Sequence, residues 1–295
     1  MRLPALIAMP MLLATLFVVP STTATSSTIP AAECLAGSGR AAEQHDHHDH
    51  ADFSPAQVAA DQADMERRLT GRAARLAATS IKVYVHVVSK DTTAAGGNVP
   101  DSKIADQIKV MNQTYGGTPF SFVLAGTDRT VNAAWHNSGY GTAEDRAMHQ
   151  ALHKGTAKDL NFYLATAGSN LGYATFPSQY SGNPVGDGIV VDFQSVPGGS
   201  NPKANLGYTG THEAGHWLGL YHTFEGGCST TGDQVADTPA ELTPAKGCPE
   251  GQDSCSAPGA DPIHNYMDYG DDPCMNQFTA GQSTRMQQQF AAYRA

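Results

Sequence analysis

One stretch limits what this chain can become more than any other: GTHEAGHWLGLYH, from Gly210 to His222. His212 and His216 stand four apart, so on a helix their imidazoles share a face and can hold one metal ion. A helix that ran on would carry His222 away from that face. Gly219 removes the difficulty, because glycine takes left-handed backbone angles at little steric cost and lets the chain turn back. His222 then supplies a third nitrogen. Three neutral imidazoles leave the fourth position of a tetrahedral zinc open, and water there has its pKa lowered toward neutrality. Glu213 is placed to take that water's proton and pass it to a leaving amine. The expected chemistry is zinc-assisted hydrolysis.

The compartment fits that chemistry. The opening MRLPALIAMPMLLATLFVVPSTTATSS has a lone Arg2, an apolar run to Val19 and small residues up to Ala24, the three-part pattern of an export signal cleaved after residue 24. Pro4 and Pro10 interrupt the run, and it is short for the roughly 20 residues of a membrane span. No later segment reads as a span, so a secreted protein free of the membrane is expected. The net charge of −10 offers no basic stripe for nucleic acid. Of five cysteines, Cys228, Cys248, Cys255 and Cys274 cluster late and suggest two disulfides, with three pairings open; Cys34 stands apart.

Residues 25–78 differ in character from the rest of the chain. They carry the HDHHDH tract (His45 to His50), which reads as a solvated stretch, then a helix started by Ser54 and Pro55. Arg67, Arg68, Arg72 and Arg75 lie between this leader and the core, inviting proteolysis, so 25–78 reads as a pro-segment. From residue 79 the elements alternate. Ile81, Val83, Val85 and Val87 mark one face of a strand, Ile104, Ile108, Met111 and Tyr115 a helix, and PFSFVLAG, DLNFYLATA, LGYATFP and DGIVVDF further strands. An α/β layer around one twisted sheet is predicted. Beyond His222, Gly, Pro, Asp and Cys dominate up to Cys274, a texture that disulfides rather than core burial would order. A helix capped by Thr279 and Gln282 closes the chain.

HEAGHWLGLYH followed by NYMDY resembles the metzincin zinc endopeptidases. HWLGLYHTF, GDQVADTP, the four cysteines and NYMDYGDDPCMNQFTAGQSTRM narrow this to the pappalysin family, over about Leu206 to Met286. The resemblance implies a metzincin-like catalytic domain over 79–295, divided into 79–219 and a loop-rich, disulfide-bonded 220–295, with a mixed sheet and an active-site helix. It makes His212, His216 and His222 zinc ligands, Glu213 the general base, Met267 the methionine flooring the metal and Tyr269 a tyrosine that stabilises the tetrahedral intermediate. It pairs Cys228 with Cys255 and Cys248 with Cys274. It places structural calcium near GDQVADTP, where Asp233, Asp237 and Thr238 offer hard oxygens and Asp253 is a weaker candidate.

In the same frame Cys34 is a candidate thiolate ligand that occupies the open zinc position and keeps a precursor latent. A peptide is expected to lie extended along the edge strand GYATFP, adding a strand by main-chain hydrogen bonds. Asp271 and Asp272, just past the methionine, suggest a preference for Arg or Lys after the cut, and a monomer acting on proteins or peptides is expected. The rival readings are a secreted metal-binding module without catalysis, against which Glu213 counts, and a zinc hydrolase of non-peptide substrates.

Overall fold

The computed structural model describes residues 53–71 and 77–295. The expected export signal, Cys34, the histidine tract, Arg72 and Arg75 lie outside the described residues.

A five-stranded sheet in the order β2-β1-β3-β5-β4 organises the chain. β1 (Thr79–Ser89), β2 (Phe120–Val131), β3 (Leu160–Ala165) and β5 (Ile189–Asp192) run parallel, and the short edge strand β4 (Gly172–Ala174) pairs antiparallel to β5. The mixed sheet is the one expected. β2 runs further than PFSFVLAG suggested, because its register slips opposite the Val83/Tyr84 step and pairing then continues to Ser89↔Val131.

Alternation along β1 divides the packing. Ile81, Val83, Val85 and Val87 enter one core with Ile104, Met111, Trp217 and Met267, whereas Val88 faces Met148, Tyr163 and Tyr173 on the other side. Helix α2 (Asp101–Thr114) covers the first face. Asn112 on it bonds across to β2: its Nδ2 donates to the carbonyls of Ile108 (2.9 Å) and Phe122 (2.8 Å), and its Oδ1 accepts from Phe122 N (2.9 Å). Both amide hydrogens are spent, so Asn112 is a brace between helix and strand. Helices α3 (Ala133–His136) and α4 (Ala143–Leu152) flank the second face.

Helix α5 (Tyr208–Trp217) holds the histidine motif and is buried from Thr209 to Trp217. A helix covered on all sides needs fixed anchors, and its end has one. Arg294, the C-cap of helix α6 (Ala280–Tyr293), bonds Asp187 at 2.8 and 3.0 Å and the Trp217 carbonyl at 3.1 Å. Its guanidinium stacks 3.7 Å from the Trp217 ring, and Trp217 Nε1 donates to Asp187 at 3.0 Å.

The lobe between α5 and α6 has few regular elements; Leu218, Leu220 and Met267 join the core beneath the sheet, and further out lies a small apolar cluster of Ala245, Ile263 and Cys274. Disulfides Cys228–Cys255 and Cys248–Cys274 close it, the pairing the resemblance implied. Ahead of the sheet, helix α1 (Pro55–Leu69) starts at a capping box of Ser54 and Gln57 and packs on α6.

Candidate active site

The histidines meet as the spacing predicted. α5 stops at Trp217, Gly219 takes φ +95°, and Leu220 N donates back to the Gly215 carbonyl at 2.9 Å. That reversal returns His222: His216 Nε2 lies 3.1 Å from His212 Nε2 and 3.1 Å from His222 Nε2, with all three rings buried. A Cβ at Gly219 would also meet Gln289 of α6 at 2.4 Å, so both conformation and space require glycine there.

A zinc ion fits these donors, on the chemistry of the rings themselves. His212 Nδ1 and His216 Nδ1 each lie 2.7 Å from a backbone carbonyl, of Tyr266 and Leu220 respectively. A carbonyl only accepts, so each Nδ1 carries the hydrogen and each neutral ring presents a bare Nε2. Bare lone pairs at 3.1 Å repel unless a cation lies between them. Metal–nitrogen bonds of about 2.0–2.1 Å in a tetrahedron give a nitrogen–nitrogen edge of about 3.3 Å.

The surroundings fix this geometry. Met267 lies beneath α5, where a Cβ on Gly215 would come within 2.4 Å of its sulfur. Its own N–H donates to Asn265 Oδ1 at 2.9 Å, and Asn265 and Gln282 exchange two bonds of 2.9 Å, tying this turn to the capping box of α6. Tyr269 Oη is 3.1 Å from His222 Nε2, so its hydroxyl already stands in the cluster. Glu213 is buried, and β4 runs past it: a Cβ at Gly172 would meet Glu213 Oε1 at 2.5 Å. Phe176, beyond β4, packs its ring 5.3 Å from His216.

The residues weighed for calcium separate. Thr238 Oγ1 lies 2.8 and 2.9 Å from the Asp233 carboxylate and 2.8 Å from the Val235 carbonyl, giving a compact oxygen group. Burial pushes the Asp233 carboxyl up to about 7, which a bound cation would reverse. Asp237 is not in that group. It accepts from Thr279 Oγ1 (2.7 Å) and Gly281 N (2.8 Å), capping α6, where a carboxylate is favoured by the helix dipole. Asp272 is buried and accepts from Leu206 N at 2.8 Å, while Asp271 is half-buried.

Three features were missed in the sequence. Gly172 acquires its meaning from Glu213, and Arg294 from Asp187. The third is a buried acid pair behind the methionine turn. Glu241 accepts from Thr223 Oγ1 at 2.7 Å, and Asp268 Oδ1 accepts from Ala245 N at 3.0 Å and Tyr269 N at 2.7 Å. Burial and the adjacent Asp268 push Glu241 well up. The cluster Cys248, His264 and Cys274 is no metal site, since both sulfurs are in the disulfide.

Residues 146–291 match the peptidase M43 family model, described as pregnancy-associated plasma protein-A. An extracellular metalloprotease of Pyricularia oryzae is 51% identical over 228 residues, 76% of this chain and 79% of the relative. One from Podospora anserina is 48% identical over 231 residues, 77% of this chain and 78% of the relative. Among solved structures, a promirolysin mutant of Tannerella forsythia superposes with TM-score 0.68 at 28% identity, covering 81% of this chain and 89% of that one. Mature mirolysin of the same organism, in complex with a cleaved peptide, superposes with TM-score 0.61 at 30% identity, covering 72% and 91%.

Proposed function

This chain belongs to the pappalysin family, peptidase M43, and on that premise we propose which of its residues cut a peptide bond and how the cutting is held back. It is an extracellular zinc metalloprotease. The observation that carries the assignment of residues is the convergence of three Nε2 atoms, with that of His216 3.1 Å from those of His212 and His222 and with the Nδ1–carbonyl bonds of His212 and His216 leaving their Nε2 atoms bare.

His212, His216 and His222 hold the zinc. The ion supplies a Lewis acid that makes water acidic enough to attack a carbonyl near neutral pH. Glu213 takes the proton of the attacking water and delivers it to the leaving amine. The Tyr269 hydroxyl donates a hydrogen bond to the carbonyl oxygen as negative charge develops on it. Met267 floors the site, and the edge strand β4 orders the substrate backbone beside Glu213. The carboxylates of Asp271 and Asp272 favour Arg or Lys after the cut. Calcium is held by Asp233 and Thr238 with the Val235 carbonyl.

The protein is made as a latent precursor: residues 1–24 direct export, 25–78 are removed, and 79–295 form the catalytic domain. The match to promirolysin spans 81% of the chain against 72% for the mature form, the sense of difference a pro-segment ahead of β1 gives. Cys34 is the proposed blocking thiolate, and Cys34→Ala is expected to speed self-activation; unchanged latency would remove that role. Mapping of cuts in a proteome-derived peptide library tests the rest. Cuts lost in Glu213→Ala and with a chelator, and mostly preceding Arg or Lys, support the reading. Cuts that persist in Glu213→Ala would overturn the role of the base, and cuts before bulky apolar residues alone would overturn the basic preference.

A further inference from the structure

Helix α1 lies on a surface built from both halves of the catalytic domain. The Phe53 ring meets Phe176 at 4.8 Å and Tyr221 at 5.5 Å, while Val58 and Met65 are buried beneath the helix. Its polar positions are matched as well. Arg285 Nη1 donates to Gln62 at 2.9 Å, Tyr293 Oη donates to Asp64 at 2.9 Å, and Arg68 sits 4.8 Å over the Tyr293 ring. Arg285 is itself buried, donates to the Gly219 carbonyl at 2.9 Å and lies 5.0 Å from the Tyr221 ring. The surface therefore abuts Gly219, where the chain reverses, and Tyr221, the residue before His222. It is shaped for an amphipathic helix with an acidic flank, not for water.

We propose that this surface of α6, Phe176 and Tyr221 binds residues 53–71 as a non-covalent ligand, so that the pro-segment stays docked after its first cut and leaves only when α1 unwinds and is cut again. The inference rests on the reading of 25–78 as a removable segment. Its physical basis is that proteases take substrate chains extended, whereas Arg67 and Arg68 are inside a helix, paired with Asp64 at 2.8 and 2.7 Å. A bond in a docked helix is cut only through local unwinding. α1 ends at Leu69, Gly71 is left-handed with open space around it, and Arg72 and Arg75 follow in the sequence. The Arg-rich junction expected as one cleavage region thus divides into two, with Arg67 and Arg68 on the protected side.

The test uses the full Glu213→Ala chain, whose own cutting is disabled, nicked by a trace of trypsin and followed by mass spectrometry and size-exclusion chromatography. Cleavage after Arg72 or Arg75 is expected to be about ten-fold or more faster than after Arg67 or Arg68, with the fragment ending there co-eluting with the catalytic domain. Met65→Asp is expected to abolish both protection and co-elution, and the milder Tyr293→Phe to weaken them while the near-ultraviolet circular dichroism of the domain is kept. Equal susceptibility at all four arginines, or a fragment that elutes free in the parent chain, would overturn the proposal. Trypsin does the cutting, so these outcomes are independent of self-processing. Failure of the Glu213-intact chain to process itself would count against the latent-precursor reading instead.

Discussion

Arg294→Met should unfold this protein at a markedly lower temperature, although the residue touches no imidazole. In the folded chain Asp187 is buried with its carboxylate shared among Arg294, Trp217 Nε1 and Thr175 Oγ1. Methionine keeps much of the apolar stem but removes the only cation bonded to that carboxylate among the described residues. Stranding one member of a buried pair costs about 3–5 kcal/mol. For a domain of this size each kcal/mol moves the melting temperature by about 2–4 °C, so a fall of about 6–20 °C is expected. Much of that cost is the isolated charge, which makes the second arm decisive: adding Asp187→Asn neutralises the carboxylate while its oxygen can still accept from Trp217. The double variant should recover a large part of the loss. Thermal melts by circular dichroism at matched zinc content read both. A fall below about 3 °C in Arg294→Met, or a double variant no better than the single, would refute the argument that a buried unpaired carboxylate sets the cost.

Gly172→Ala should reduce kcat/KM by about 10–100-fold with metal content and melting temperature held, because the new methyl displaces the Glu213 carboxylate; full activity would show that the base has room to spare. Glu241→Gln should change how stability depends on pH. Glu241's folded pKa, pushed up to about 9, exceeds its unfolded value, so the native state is best supported below the unfolded pKa and loses stability as pH rises through the folded one. The variant should flatten that decline by up to about 1.4 kcal/mol per pH unit, read from urea midpoints at several pH values, and an unchanged slope would discard the acid-pair account. Replacing Cys248 and Cys274 together by alanine opens a loop of separation 26 and should cost about 3–4 kcal/mol, with earlier proteolysis between residues 225 and 274 as the readout.

What the sequence made legible was local. The faces of β1 follow from alternate apolar residues, α5 and its abrupt end from a histidine spacing and one glycine, the start of α1 from Ser54 and Pro55, and the capping box of α6 from residues three apart. Distance along the chain is what hid the rest. Asp187 and Arg294 are 107 positions apart, and neither has neighbours that announce a partner. Gly172 reads as one more glycine in a strand until Glu213 lies against it. Asp237 groups with Asp233 in the sequence because a short motif contains both, yet the side chains point to different tasks, one into an oxygen cluster and the other to the start of α6. Arg67 and Arg68 read as exposed cleavage sites, since a sequence does not say that their helix is docked.

The reversal at Gly219 also bears on how the protein assembles. It confines the three imidazoles to eleven consecutive positions, so bringing them together closes only a very short loop, whose entropy cost grows slowly with length and is near its minimum here. The groups that hold the ensemble in place come from far away: the Tyr266 carbonyl is 54 positions from His212, and Arg285 is 66 from Gly219. Gathering the rings is thus a fast, low-contact-order event, while locking them waits for the slower arrival of the disulfide lobe and the last helix. In a nascent chain of this design the three rings gather as a loose claw, and the grip tightens only when the C-terminal quarter has folded around it.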